Sequence, residues 1–304
     1  SDFMNQAKAG EEKVVYPALQ GPEERARRQL VLDHISGAIQ SGQLTLRYQP
    51  QVLGSGRVLR SFEALVRWEH PELGTIPPSE FIPVLEEAGR CFELDRWVIR
   101  EAIGQRSRWV DAGLKPPPIA VNVSAQSFRR PSLVKEIMTA LELSGQTADA
   151  LEVEITETSV LDPRCESVLH RLAAFGVCIA IDDFGVGYAA LGCLARTEAG
   201  LVKIDRSLID HVDGRTRDGL LVTGLVRLAH ELGREVLAEG VERPEQHAFL
   251  VGVGVDAFQG FCFDRPLDAR NATARLAHER REAQRHETDT LDLDSAPCVE
   301  DAAP

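Results

Sequence analysis

The chain has 304 residues, 43% of them hydrophobic and 27% charged, the balance of a globular protein with enough apolar material for a real core. Its formal net charge of −13 argues against binding polymeric nucleic acid, which needs a basic footprint, and most of the carboxylates read as a solvated acidic surface. No run of about 18 apolar residues occurs, and nothing before residue 30 resembles a leader, so neither a membrane span nor an export signal is expected. A cytoplasmic location follows, unless regions beyond this sequence tether it to a membrane.

Taken in chain order, Glu23–Ser41 reads as a helix. Strands are expected at Leu44–Gln49, Ser61–Trp68, Ile119–Val123, Leu151–Thr156, Val177–Asp182, Leu201–Asp205, Val236–Glu239 and Ala257–Gly260. Amphipathic stretches lie between most of them: Phe92–Val110, Leu133–Leu143, Glu166–Phe175, and Asp218–Leu232 with Gly233 as its stop signal. Strand–helix alternation repeated about eight times points to a closed (β/α) barrel. The runner-up, an open doubly wound sheet, more often carries a glycine-rich phosphate loop after its first strand, and Gln49-Pro50-Gln51 offers none. Residues 269–285 read as a charged terminal helix, and the acidic stretch beyond Arg285 is expected to be disordered. The six cysteines (Cys91, Cys165, Cys178, Cys193, Cys262 and Cys298) form no CxxC pair and read as small buried thiols of a reducing compartment.

The informative feature is what ends each strand, because the C-terminal rim of a TIM barrel is where catalysis is assembled. In order these residues are Glu63, Asn122, Glu154, Asp182 with Asp183, Lys203, Glu239 and Gln259. Face parity gives them a shared destination. Val177, Ile179 and Ile181 occupy one face of their strand, while Cys178, Ala180 and Asp182 occupy the other; Asn122 shares its face with Ala120. One charged residue at a strand end means little, but carboxylates and an amide converging on one rim would repel strongly unless cations sat among them. Oxygen ligands without cysteine or histidine select Mg²⁺ or Mn²⁺ over zinc. Asp182 and Asp183, as neighbours, can reach one site only where the strand has just ended, and Phe184-Gly185-Val186-Gly187 would supply that ending. Asp182 could then bridge two ions roughly 3.5–4 Å apart, the spacing used for phosphodiester hydrolysis.

These residues resemble a known family. Glu63-Ala64-Leu65-Val66-Arg67-Trp68 resembles the EALxRW motif of EAL domains, and His70-Pro71, Gly74, Pro77-Pro78 and Phe81-Ile82-Pro83 are similar to the stretch that follows it. Val121–Ser124, Glu154–Glu157, Asp182–Gly187, Lys203–Asp205, Glu239–Glu242 and Gln259–Phe261 with Pro266 complete the set in the family's order, over roughly residues 30–268. The resemblance implies a TIM-like (β/α)8 barrel with an antiparallel first strand. It implies hydrolysis of cyclic di-GMP to linear pGpG with two Mg²⁺ or Mn²⁺ ions per site.

Carried over residue by residue, the resemblance makes Glu63, Asn122, Glu154 and Asp182 ligands of one ion, and Asp182, Asp183 and Glu239 ligands of the second. Lys203 would position the attacking water and Gln259 would hydrogen-bond near it. Arg67 would clamp a phosphate, with Leu65, Gln49 and Asp205 lining the substrate's place, and Glu157 and Glu242 would brace the surrounding loops. Two ions, Arg67 and Lys203 would give an acidic protein a locally positive rim for a doubly negative ligand.

The chain departs from the family at Tyr188-Ala189-Ala190-Leu191 and Thr197-Glu198, in the loop through which the family couples dimerisation to activity, and at Gly89-Arg90-Cys91. A homodimer through the loop after Asp183 is nonetheless expected. Residues 1–22 resemble the last helix and strand of a GGDEF domain with a linker, so the expected order is that remnant, the EAL barrel over 23–268, and the terminal helix and acidic tail over 269–304. A chain opening on Ser1 then reads as the C-terminal piece of a GGDEF–EAL protein. The rival readings are a catalytically silent cyclic di-GMP receptor, which usually lacks a carboxylate or the lysine, and an unrelated barrel hydrolase of phosphate esters.

Overall fold

The computed structural model describes residues 21–294, apart from Arg57, 186–191, Cys193, 195–196, Asp213 and Arg215. The expectations placed on residues 1–20, on the loop 186–191 and on residues 295–304 lie outside the described residues.

Strands β1 (Leu44–Leu53) and β2 (Val58–His70) form an antiparallel hairpin that turns at Gly54 and Gly56, with φ of 48° and 82°. Beyond a short strand β3 (Gly74–Ile76), the sheet continues in parallel from β2 through β4 (Ile119–Asn122), β5 (Leu151–Thr156), β6 (Cys178–Phe184), β7 (Leu201–Ile204), β8 (Glu235–Ala238) and β9 (Ala257–Phe258). β9 pairs antiparallel with β1, which closes the barrel and leaves β1 running against both its neighbours. This is the TIM-like barrel with an antiparallel first strand, not the open sheet. The parallel strands are short apolar runs because helices cover one face and the packed barrel interior the other. β3 pairs only with the far end of β2, and at three residues it is too short for periodicity to reveal.

Helices Cys91–Asp111, Ser132–Leu143, Pro163–Ala174 and Arg217–Glu231 fall where the amphipathic stretches are. In the first of these, Leu94, Val98, Ile99, Ala102 and Ile103 recur at helical spacing and are buried. The helix Pro22–Ser41 ends at Gly42, whose φ of 73° lets its N–H reach the Ala38 carbonyl. Tyr48 and Phe62, on the outer faces of β1 and β2, pack edge-on or tilted against Trp109, and the Trp109 indole donates to Thr273 Oγ1 at 2.8 Å.

The terminal helix spans Ala269–Asp294, past the boundary at Arg285 expected from the sequence. Nothing between His286 and Asp294 breaks a helix, and the next proline is Pro297, so acidity alone does not end it. It docks by burying Ala272 and Leu276 and by accepting the Leu59 N–H on Glu279 Oε1 at 2.6 Å. Among the described cysteines, Cys91, Cys165, Cys178 and Cys262 are free thiols; burial pushes those of Cys91 and Cys178 up to about 12, which makes them inert.

Candidate active site

The barrel interior is layered. Ala180, Leu201, Leu237 and Ala257, all fully buried, form an apolar cluster on the axis. Two residues further along the same chain segments, and so on the same face, stand Asp182, Lys203, Glu239 and Gln259. A small or apolar residue followed at i+2 by a polar one puts a dry floor under a polar mouth.

The Lys203 side chain is wholly inaccessible to solvent, and its ammonium lies 2.8 Å from Glu154, 2.8 Å from Glu239, 3.1 Å from Asp182 and 3.8 Å from Glu63. Burial alone would push its pKa down, but the carboxylates of Asp182, Glu154, Glu239 and Glu63 together hold it well above the usual lysine value. Glu154 shows the other side of this balance. Burial first, then the Glu63 charge, raises its pKa well above the usual carboxylate range, and Lys203 offsets only part of that.

Asp182 and Asp183 share this mouth by a route different from the expected one. β6 does not stop at Asp182 but continues to Phe184 through a bulge, in which Ile181 and Phe184 pair with Val202 and Ile204 of β7. Asp183 has φ of 53°, and among the described residues no other non-glycine has a positive φ. The extra residue in a left-handed conformation, costing of the order of 1–3 kcal/mol, turns both carboxylates the same way. One oxygen each from Asp182, Asp183 and Glu239 lie within 4.8 Å of one another. Glu157 lies under the turn that follows, accepting the Gly185 N–H on Oε2 at 3.1 Å.

Glu63 is gripped from both sides: Asn122 Nδ2 donates to its Oε1 at 2.7 Å and Gln259 Nε2 to its Oε2 at 2.6 Å. Gln49 is its register partner on β1 and is buried. Leu65 and Arg67 follow on the same face and are half-buried, with Arg67 Nη1 donating to the Val66 carbonyl at 2.9 Å. Two further expected site residues are engaged in building loops. Asp205 caps the helix Arg206–Ile209, accepting the Ser207 N–H at 2.9 Å, and Glu242 pairs with Arg206 at 2.8 Å. No described contact brings either into the carboxylate cluster.

The sequence reading missed Gln51, Ser61 and Asp95. Gln51 shares its face with Gln49, so strand parity pointed to it; it is fully buried and donates to Gln259 Oε1 at 2.9 Å. Asp95 had no local signal. Its buried carboxylate accepts the Ser124 N–H at 3.0 Å and the hydroxyls of Ser124 and Ser127, both at 2.6 Å, and so pins the turn just after Asn122. Burial pushes its pKa up to about 6 although those hydrogen bonds pull it down.

The donor chemistry fits a divalent cation. The carboxylates of Glu63, Glu154, Asp182, Asp183 and Glu239 meet the ammonium of Lys203, a charge excess that a buried mouth tolerates poorly without added positive charge. The ligands on offer are all oxygens, as hard ions require.

The profile described as EAL domain matches residues 32–266. Over 255 residues the chain is 38% identical to the bifunctional diguanylate cyclase/cyclic di-GMP phosphodiesterase MucR of Pseudomonas aeruginosa, which covers 83% of this chain and 37% of MucR. It is 37% identical over 246 residues to the cyclic di-GMP phosphodiesterase NbdA of the same organism, covering 80% of this chain and 31% of NbdA. The chain thus spans about a third of the length of these curated relatives. A solved structure, the PaMucR phosphodiesterase in complex with c-di-GMP, superposes with a TM-score of 0.75 at 36% identity, covering 80% of this chain and 99% of that one.

Proposed function

This chain belongs to the EAL domain family, and we propose that it hydrolyses cyclic di-GMP to linear pGpG, which lowers second-messenger levels in bacterial signalling. The observation that carries the proposal is the buried ammonium of Lys203 within 3.1 Å of Glu154, Glu239 and Asp182, at the mouth where Asp183, Glu63 and Asn122 also converge. Divalent-metal dependence goes with the family. That the ions are Mg²⁺ or Mn²⁺ and number two per site is part of the proposal.

Bound there, such ions supply Lewis acidity to the phosphodiester and acidify water. The chain's own residues do the rest. Glu63, Asn122, Glu154 and Asp182 would hold one ion, and Asp182, Asp183 and Glu239 the other. Lys203, which stays protonated, orients the attacking water by donating to its oxygen, and Gln259 donates alongside. That water would give up one proton as its oxygen bonds to phosphorus and one P–O bond to ribose breaks, and the departing ribose oxygen would take up one proton, so that one water is added across the bond. Arg67 clamps the second phosphate, with Gln49 and Leu65 beneath the substrate. Asp205 is proposed to reach the substrate's edge, and Glu157 and Glu242 to brace the loops.

The test is chromatography of cyclic di-GMP incubated with purified protein and Mn²⁺. Conversion to pGpG is expected. Binding without turnover would favour the silent-receptor reading instead.

The larger architecture is also part of the proposal. A GGDEF domain upstream of the barrel, which would span 23–268, is suggested by the resemblance of residues 1–22 and by the bifunctional name of MucR. Reading the upstream coding sequence tests it. A homodimer through the loop after Asp183 rests on family resemblance, and sedimentation across a concentration range decides it. Among the described residues no helix is long and apolar enough to cross a membrane. A cytoplasmic site of action is proposed because the proposed substrate is an intracellular messenger.

A further inference from the structure

The lower layer of the barrel is apolar on one side, where Ala180, Leu201, Leu237 and Ala257 meet, and polar on the other. There Gln51 and Ser61, register partners on β1 and β2, are both fully buried directly beneath Gln49 and Glu63. A glutamine with no exposure is costly unless its amide is fully used. Its hydrogen bonds form a continuous chain. Arg60 Nη1 donates to Ser61 Oγ at 3.2 Å, the Ser61 hydroxyl donates to Gln51 Oε1, Gln51 Nε2 donates to Gln259 Oε1 at 2.9 Å, and Gln259 Nε2 donates to Glu63 Oε2 at 2.6 Å. The second proton of the Gln51 amide faces Glu154 Oε1 at 3.5 Å.

The direction of this chain is dictated by its ends. A guanidinium can only donate and a carboxylate can only accept, so each amide between them has one permitted orientation. Glu63 therefore takes the NH₂ of Gln259, which leaves Gln259 Oε1 in need of a donor within the buried layer; Gln51 Nε2 is that donor and holds the amide in place.

We infer that Gln51 is a positioning residue that orients the Gln259 amide and, through it, the Glu63 carboxylate for metal binding. The inference rests on the metal-site reading above. It concerns a residue that does not touch the proposed ions, and partners of that kind typically change metal affinity by about 10–100-fold when removed.

The experiment titrates Mn²⁺ into the ligand-free protein by calorimetry and follows thermal melting and turnover in parallel. Gln51→Leu should keep the fold yet weaken Mn²⁺ binding by roughly tenfold or more. It should lower kcat while leaving KM for cyclic di-GMP nearly unchanged, because the phosphate clamp is untouched. Gln51→Glu should be worse than Gln51→Leu. Its new carboxylate could accept from Ser61 but could not donate to Gln259 Oε1, so it would oppose that oxygen or compete with Glu63 for the Gln259 NH₂. In a Gln259→Leu background, Gln51→Leu should have no further effect on Mn²⁺ affinity. If Gln51→Leu does not fold, Gln51→Met carries the same comparison. Wild-type Mn²⁺ affinity in a folded Gln51→Leu or Gln51→Met protein would overturn the inference, and so would losses that simply add in the double variant. A wild-type protein that binds Mn²⁺ but turns nothing over would overturn the proposed activity while leaving the Mn²⁺ comparison intact. No Mn²⁺ affinity in the wild type would overturn both.

Discussion

Asp182 and Asp183, adjacent in the chain, present carboxylates to one space because the φ of 53° at Asp183 cancels the alternation of the strand. The same conformation constrains which substitutions the position accepts. Asparagine adopts the left-handed region more readily than other non-glycine residues. Asp183→Asn should therefore keep the fold and the melting temperature while turnover falls by roughly 100-fold or more, since a charged ligand outranks the outer partners whose loss costs about 10–100-fold. Asp182→Ala and Glu63→Ala should abolish turnover. Circular dichroism and a pGpG assay check these variants together, and full activity in Asp182→Ala would sink the two-ion scheme.

Arg67 follows Glu63 and Leu65 on one face of β2 and remains half-buried at the mouth. Its substitution should act on binding more than on chemistry. Arg67→Ala is expected to raise KM by roughly 10–100-fold, the worth of a charge-assisted hydrogen bond of about 1.5–3 kcal/mol, with a smaller change in kcat. A fall in kcat with KM unchanged would place Arg67 in the chemical step instead.

An all-oxygen site should accept Ca²⁺, which is larger than Mg²⁺ and tolerates irregular coordination. Cyclic di-GMP binding in Ca²⁺ should then be visible by calorimetry while chromatography finds no pGpG. Equal turnover in Ca²⁺ and Mg²⁺ would contradict this account of the ions.

Asp95 gives a pH signature in stability. Its pKa is raised by burial to about 6, helped by the Glu86 charge and opposed by the hydrogen bonds from Ser124 and Ser127. Because the folded state holds this proton more tightly than the unfolded one, the contribution is fully present below about pH 4, where the carboxyl is protonated in both states. It is lost as pH rises through about 6. The amount at stake is of the order of 2–3 kcal/mol. Asp95→Asn, which keeps an acceptor for Ser124 and carries no charge, should flatten the dependence of melting temperature on pH between about 4 and 6. An unchanged slope in Asp95→Asn would remove Asp95 as its source.

Much of this protein was legible residue by residue. Strand parity set Ala180 under Asp182 and Ala120 on the face of Asn122, because side-chain alternation is a local property of an extended chain. The order of carboxylates, amide and lysine along the strand ends already pointed to one rim, since parallel strands all deliver their C-terminal ends to the same side of a barrel. What remained hidden depended on closure. Gln51 and Gln259 are 208 positions apart and meet only because β9 returns to pair with β1. Asp95 sits on a helix whose pattern says only which face is buried, and its bonds to Ser124 and Ser127 exist only once that helix lies against β4. The bulge at Asp183 escaped for a related reason. A left-handed aspartate is locally unfavourable, so no propensity predicts it, and it persists because pairing with β7 on one side and the Glu157 bond to Gly185 just beyond over-determine the backbone there.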